Sequence, residues 1–322
     1  MTADRRGSRE PVRTIFLGSG GFAVPILDVL VTAPEIRLVG VVTAPDRPSG
    51  RRAELTAVPV ARRARELGVP LLQPVRLRSP EAVAEVAALQ PDLGVLADYG
   101  QIVPATLLAV PKHGIINVHP SALPRYRGAT PIPATIAAGD PIAAVTLIGM
   151  DEGLDTGPIL AQETWALDGT ETTAQVEAEA ALRGADLVRR SLGPWLDDRL
   201  PAIPQVEATS TLTRPLRRED GRLDLGRPAA ELARLVRAHA PWPGSFVDTG
   251  QGRLIVHEAV VIASEPDDAP GRVVADADGL ALTTAEGRLR LKRAQLAGRR
   301  PTDAASLRRG APGLVGQSID LR

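Results

Sequence analysis

Asn117 and His119 stand two residues apart, directly after the β-branched pair Ile115-Ile116. In a strand this spacing puts both side chains on one face and Val118 on the other. An amide beside an imidazole suits acyl transfer. The amide can hold an oxygen that gains negative charge, an interaction worth about 3 kcal/mol of barrier, and the imidazole can manage the proton of an attacking amine. Pro120 then stops the strand and hands the chain to a Pro- and Gly-punctuated loop that a substrate can approach. The competing reading is a strand end whose polar side chains only satisfy neighbouring backbone groups. A carboxylate is needed to orient the imidazole, and the stretch Asp151-Glu152-Gly153-Leu154-Asp155-Thr156-Gly157 offers Asp151, Glu152 and Asp155. Asp155 is preferred because Gly153 and Gly157 bracket it and allow a tight backbone there, whereas Asp151 reads as a turn-initiating cap.

These residues need a scaffold. Thr14 to Gly18 is an apolar run that enters a glycine turn, residues to Leu30 have helical spacing, and Leu38 to Val42 reads as a second buried strand. Strand, turn, helix, strand is the opening of a doubly wound α/β domain with a mainly parallel sheet. Further helices are expected at Ala57 to Leu67, Pro80 to Leu89, Pro131 to Ala138 and Thr172 to Leu196, with strands at Pro70 to Leu72, Leu93 to Ala97 and Ala143 to Met150. Both chemistry-bearing loops therefore leave strand ends, where ligands bind in open α/β sheets. Pro201 to Pro215 is proline-punctuated and reads as a linker. Beyond it, a helix at Ala229 to His239 precedes several short alternating segments, the pattern of a small, OB-like β-barrel. The expected organisation is a flexible extension over 1–11, a catalytic domain over 12–200, a linker over 201–215 and a barrel over 216–322.

Composition narrows the function. The 322 residues contain no cysteine, which excludes disulfides, thiol nucleophiles and thiolate metal sites. Basic and acidic residues balance at 38 each, so no global field argues for nucleic acid; the part from Arg214 onward nevertheless carries a basic excess and the part before it an acidic one. No apolar run approaches the ~20 residues of a membrane crossing, and a cytoplasmic monomer is expected. His113, His119, His239 and His257 lack metal-ligand spacing, so no metal is expected, and all but His119 read as structural. Gly18-x-Gly20-x-x-Ala23 fits a dinucleotide fingerprint, but the second strand ends Val41-Val42-Thr43 without the acid that would hold a ribose. A glycine turn for tight strand-to-helix passage is the better reading.

The run Asn117-x-His119-x-Ser121-x-Leu123-Pro124-x-x-Arg127-Gly128-Ala129-x-Pro131, followed by Met150-Asp151-x-Gly153-Leu154-Asp155-Thr156-Gly157, resembles the 10-formyltetrahydrofolate-dependent formyltransferase family. The likeness extends from Thr14 to the C-terminus through Pro45 to Arg51, Asp98-Tyr99-Gly100, Arg237-Ala238 before Pro241-Trp242-Pro243, and Gly271. It implies a Rossmann-like formyltransferase domain followed by a tRNA-binding barrel, with Asn117, His119 and Asp155 as the catalytic set. It further implies folate contacts at Ser121, Ala122, Leu123, Pro124, Asp98, Tyr99 and Gly100, and RNA contacts at Arg47, Arg51, Arg52, Arg288, Arg290, Lys292 and Arg293. The implied reaction moves the formyl group of 10-formyltetrahydrofolate to the α-amino group of methionine on initiator tRNA, without a metal. An amino-sugar nucleotide acceptor, or a homologue that binds RNA and folate without turnover, are the alternatives. Ala122 stands where the family usually has Leu, removing apolar area worth about 1 to 2 kcal/mol of burial. Pro120 replaces a usual Gly, and Glu54 adds an acid to the loop that normally carries several basic residues.

Overall fold

The computed structural model describes residues 10–49 and 54–321. β1 (Val12–Gly18) is buried along nearly its whole length, turns through Gly18 into α1 (Ala23–Thr32), and is joined in parallel by β2 (Ile36–Val42). A Cβ at Gly18 would lie 2.7 Å from the Phe16 ring and 2.8 Å from the Ala97 carbonyl oxygen, so packing alone requires glycine at this passage. The hairpin of β3 (Arg47–Ser49) and β4 (Glu54–Thr56) follows, then α2 (Pro59–Leu67), β5 (Leu71–Leu72) and α3 (Pro80–Ala88). Ser79 caps α3 by accepting from Ala82 N, with Pro80 and Glu81 favouring the first turn. Next come β6 (Leu93–Ala97), α4 (Ala105–Leu108), β7 (Ile115–His119), β8 (Arg127–Gly128), α5 (Pro131–Ala138), β9 (Ile142–Gly149), β10 (Ile159–Ala166) and α6 (Thr173–Leu196).

The principal sheet has the order β10-β9-β7-β6-β1-β2-β5. β5, β2, β1, β6 and β7 are parallel and β9 is antiparallel to β7, so the mainly parallel sheet expected from the sequence is present. Because β1, β6 and β7 run the same way, the loops after Gly18, Ala97 and His119 leave one edge of the sheet. Ile15, Leu17, Val42, Leu96 and Ile115 pack with Leu77, Val86 and Leu107 in one apolar cluster, which fixes these strand ends. No helix among the described residues is long and apolar enough to cross a membrane.

The chain divides into two compact units. The first holds residues up to Gly128 with Ala144–Trp165 and Glu177–Leu212; the second holds Ala129–Ala143, Ala166–Val176 and Thr213–Arg322. The division is not contiguous, because α5 belongs with α7 (Ala229–Ala238): Arg234 Nε donates to the Ala137 carbonyl at 3.1 Å. β11 (Leu212–Thr213) pairs with β8 in a short two-stranded sheet. The second unit continues with β12 (Ser245–Thr249), β13 (Gly252–Ile262), β14 (Val273–Asp276), β15 (Gly279–Thr283), β16 (Arg288–Leu296), β17 (Thr302–Asp303) and α8 (Ala304–Gly310). Its six-stranded antiparallel sheet, ordered β12-β13-β16-β15-β14 with β17 on β16, provides the small barrel domain. Leu225, Leu232, Val236, Leu254, Leu282, Leu291 and Leu307 fill its core.

Candidate active site

β7 delivers Asn117 and His119 to the sheet edge, both 5% exposed. Asp155 comes from the loop between β9 and β10 and meets both. Its Oδ1 accepts from Asn117 Nδ2 at 3.1 Å, and its Oδ2 accepts from Gly128 N at 2.8 Å and lies 3.5 Å from His119 Nδ1. His119 Nε2 stands 2.9 Å from the Tyr126 carbonyl oxygen. A carbonyl only accepts, so this assigns the hydrogen to Nε2 and leaves Nδ1 as the nitrogen facing the carboxylate and able to exchange a proton.

The other two acids of the loop do different work. Asp151 is exposed and its Oδ1 accepts from Gly153 N and Thr156 Oγ1, closing the turn; Glu152 is exposed. The sharp backbone resides at Asp155 itself, whose φ is +53°. Gly153 and Gly157 are glycine for a different reason from the conformational freedom expected of them. A Cβ at Gly157 would lie 1.7 Å from the Gly149 carbonyl oxygen, and one at Gly153 1.9 Å from Thr156 Oγ1.

Residues the sequence did not single out surround this group. Gln205 Nε2 donates to the carbonyl oxygens of Asp155 (2.8 Å) and Gly157 (2.7 Å), while its Oε1 accepts from Arg127 Nε at 3.1 Å. Thr211 Oγ1 accepts from Tyr126 N, and the Thr211 carbonyl accepts from Arg127 N. Arg127 lay within the quoted loop motif, but Gln205 and Thr211 fall in the apparent linker and carried no local signal.

Sequence patterns of known families bear on the arrangement. The family described as "Formyl transferase" matches residues 12–190, and "Formyl transferase, C-terminal domain" matches residues 215–312. The chain belongs to the formyl transferase family. It is 44% identical over 301 residues to "Methionyl-tRNA formyltransferase" of Roseiflexus sp. (strain RS-1), covering 93% of each chain. Among solved structures, an N-formyltransferase from Helicobacter canadensis in complex with folinic acid and dTDP-3-aminofucose superposes with a TM-score of 0.65 at 14% identity, over 87% of this chain and 99% of that one. HypX from Aquifex aeolicus in complex with tetrahydrofolic acid gives a TM-score of 0.62 at 18% identity over 93% of this chain, which spans about half (47%) of HypX. At those identities the two structures speak for the fold alone.

In this formyl transferase the remaining candidates are distributed as follows. Ser121 is buried, its Oγ donating to the Arg125 carbonyl, and Leu123 is only 4% exposed; Ala122 and Pro124 are the half-buried members of that segment. Asp98 has a φ of +48° at the exit of β6. Although its surface is exposed, the protein packed round it pushes its carboxyl up to about 6, the charge of Glu177 adds to the rise, and the Gly20 backbone N–H opposes it. Tyr99 presents a buried hydroxyl with no hydrogen-bond partner, and burial raises it to about 12; Gly100 is exposed.

Arg47 is exposed on β3, and Arg51 and Arg52 lie outside the described residues. Arg288 is 5% exposed and its guanidinium is held by Asp268 and Glu265, which raises its already high affinity for a proton; Arg290 is paired with Asp276 and Asp278. Lys292 and Arg293 are exposed on the same strand. His239 is buried at the end of α7, where burial lowers its proton affinity, and His257 Nε2 contacts Gln295 Oε1. No group of three or more His, Asp and Glu among the described residues is placed to hold a metal ion.

Proposed function

We propose that this formyl transferase moves the formyl group of 10-formyltetrahydrofolate to the α-amino group of methionine carried by initiator tRNA. The observation carrying the reading is the meeting of one carboxylate with the Asn117 amide and the His119 imidazole at the end of β7, in a chain 44% identical to a relative bearing that activity in its name. The donor supplies an electrophilic formyl carbon. Asn117 gives one N–H to Asp155 and has a second for the formyl oxygen as negative charge develops there. His119, anchored through Nε2, takes the amine proton at Nδ1 and returns it to the departing folate nitrogen, while Asp155 stabilises the imidazolium between the two transfers. No covalent enzyme intermediate is required.

The donor fits the residues around this edge. Asp98 offers a carboxyl suited to a heteroaromatic ring with N–H groups, and Ala122 and Pro124 offer apolar surface, while the Tyr99 hydroxyl lies buried. RNA is gripped by the exposed cations Arg47, Lys292 and Arg293, with Arg51 and Arg52 of the same basic loop as Arg47 contributing charge from outside the described residues, whereas Arg288 and Arg290 serve the barrel through their ion pairs. The protein acts as a cytoplasmic monomer on this reading.

The test combines purified protein, folate donor and charged initiator tRNA, and measures formylmethionyl-tRNA with time. His119→Ala is expected to lower kcat by about 10²- to 10⁴-fold. Undiminished turnover in that variant rejects the assigned role. Formylation of an amino-sugar nucleotide in preference to the tRNA rejects the acceptor.

A further inference from the structure

We propose that Gln205, with Thr211, is a positioning residue for formyl transfer, so that the segment resembling a linker completes the catalytic geometry. The inference rests on the roles given above to His119 and Asp155. The two groups that orient the His119 ring are the Asp155 carboxylate at Nδ1 and the Tyr126 carbonyl at Nε2. Each belongs to a residue in the left-handed backbone region, Asp155 at φ +53° and Tyr126 at φ +61°. Residues with a Cβ enter that region uncommonly, Asp more readily than Tyr, and the surrounding contacts help to hold them there. Both residues have a backbone group held from 203–211: the Asp155 carbonyl by Gln205 and the Tyr126 N–H by Thr211.

Gln205 spends both amide hydrogens on the Asp155 loop. Its donations to the Asp155 and Gly157 carbonyls hold the peptide unit that follows the residue with positive φ and the one two residues further on, which fixes the exit of the chain from Asp155. Arg127 fixes the other end of the same amide, and is itself buried and ion-paired with Glu207. That bond also settles which end of the Gln205 amide is nitrogen, because a guanidinium only donates. Two residues earlier, Ile203 and Ile159 exchange both backbone hydrogen bonds, at 2.8 and 2.9 Å, which pins the segment beside the start of β10. On the other side of His119, Thr211 accepts from Tyr126 N through its hydroxyl at 2.8 Å and from Arg127 N through its carbonyl at 2.9 Å, and its own N donates to the Pro124 carbonyl. One stretch of nine residues thus holds both partners of the imidazole.

The experiment uses full-length protein with Gln205→Ala, Gln205→Glu, Asp155→Asn and the Gln205→Ala/Asp155→Asn pair, in the formyl-transfer assay with thermal unfolding monitored alongside. Glutamate keeps the volume and the acceptor for Arg127 but has no N–H for the two carbonyls. Loss of positioning predicts that kcat falls about 100-fold in both single Gln205 variants, the consequence of misplacing a reacting group by roughly 1 Å, with KM for both substrates little changed. In the Asp155→Asn background, Gln205→Ala is expected to add little, because the two residues act on one step. Wild-type kcat in either folded Gln205 variant overturns the inference. So does an active Gln205→Glu beside an inactive Gln205→Ala, which assigns the effect to Arg127 packing, or independent multiplication of the two losses in the pair. Full activity of Asp155→Asn instead overturns the catalytic reading beneath it.

Discussion

Asp98 shows how one side chain answers to its surroundings. Protein packed about it, with Glu177 nearby, raises its carboxyl from 3.8 to about 6, so between those values the folded chain holds more proton than the unfolded one. Stability from this group therefore falls as pH rises through that window and is level above it. Asp98→Asn is expected to remove that part of the decline, giving a smaller drop in melting temperature between pH 4 and pH 6.5 than the unaltered protein shows. A residual slope remains from Glu177, which burial shifts the same way. Equal slopes in the two proteins reject the assignment. Sequence spacing could name Asn117, His119 and Asp155, because a strand's alternation and a loop's composition are local properties. It could not name Gln205: an amide in a proline-rich stretch has no local distinction, and its role comes only from carbonyls 48 and 50 residues away.

At the level of elements, β16 carries two kinds of basic residue, separated by the acids its neighbours supply and not by strand alternation, since Arg288, Arg290 and Lys292 share one parity. Arg288 is turned into a buried setting where Asp268 and Glu265 meet it, whereas Lys292 and Arg293 are exposed. Hydrogen-bonded charge in such a setting is costly to break, because the partner left behind loses both its ligand and full hydration. Arg288→Ala is expected to lower the unfolding free energy by about 2 kcal/mol in urea titrations, with the unfolding slope preserved. A change within error would mean that Asp268 finds water as readily as it finds the guanidinium. The basic run was legible as a run, but its acids lie elsewhere in the sequence, so pairing was not. β10 escaped notice for a related reason: a half-buried strand next to β9 carries Gln162, Glu163 and Thr164 among its apolar residues, and only the neighbouring strand makes the segment extended.

For the molecule as a whole, equal numbers of basic and acidic residues mean that RNA affinity must come from local placement of charge. If Lys292 and Arg293 each neutralise a phosphate, replacing either by Ala should weaken initiator-tRNA binding and reduce the slope of log affinity against log salt by about 0.7 to 0.9. Filter binding across a salt series reads that slope directly, and an unchanged slope removes the residue from the interface. The α/β domain, the barrel after it and the paired side chains at one strand end were legible from the residues, since hydrophobic period, glycine turns and residue spacing act over a few positions. Only the folded chain fixes which nitrogen of the imidazole carries the hydrogen, that Gln205 holds the Asp155 loop, and which arginines are already engaged. Those outcomes depend on distances between groups far apart in the chain, and only a folded backbone sets them.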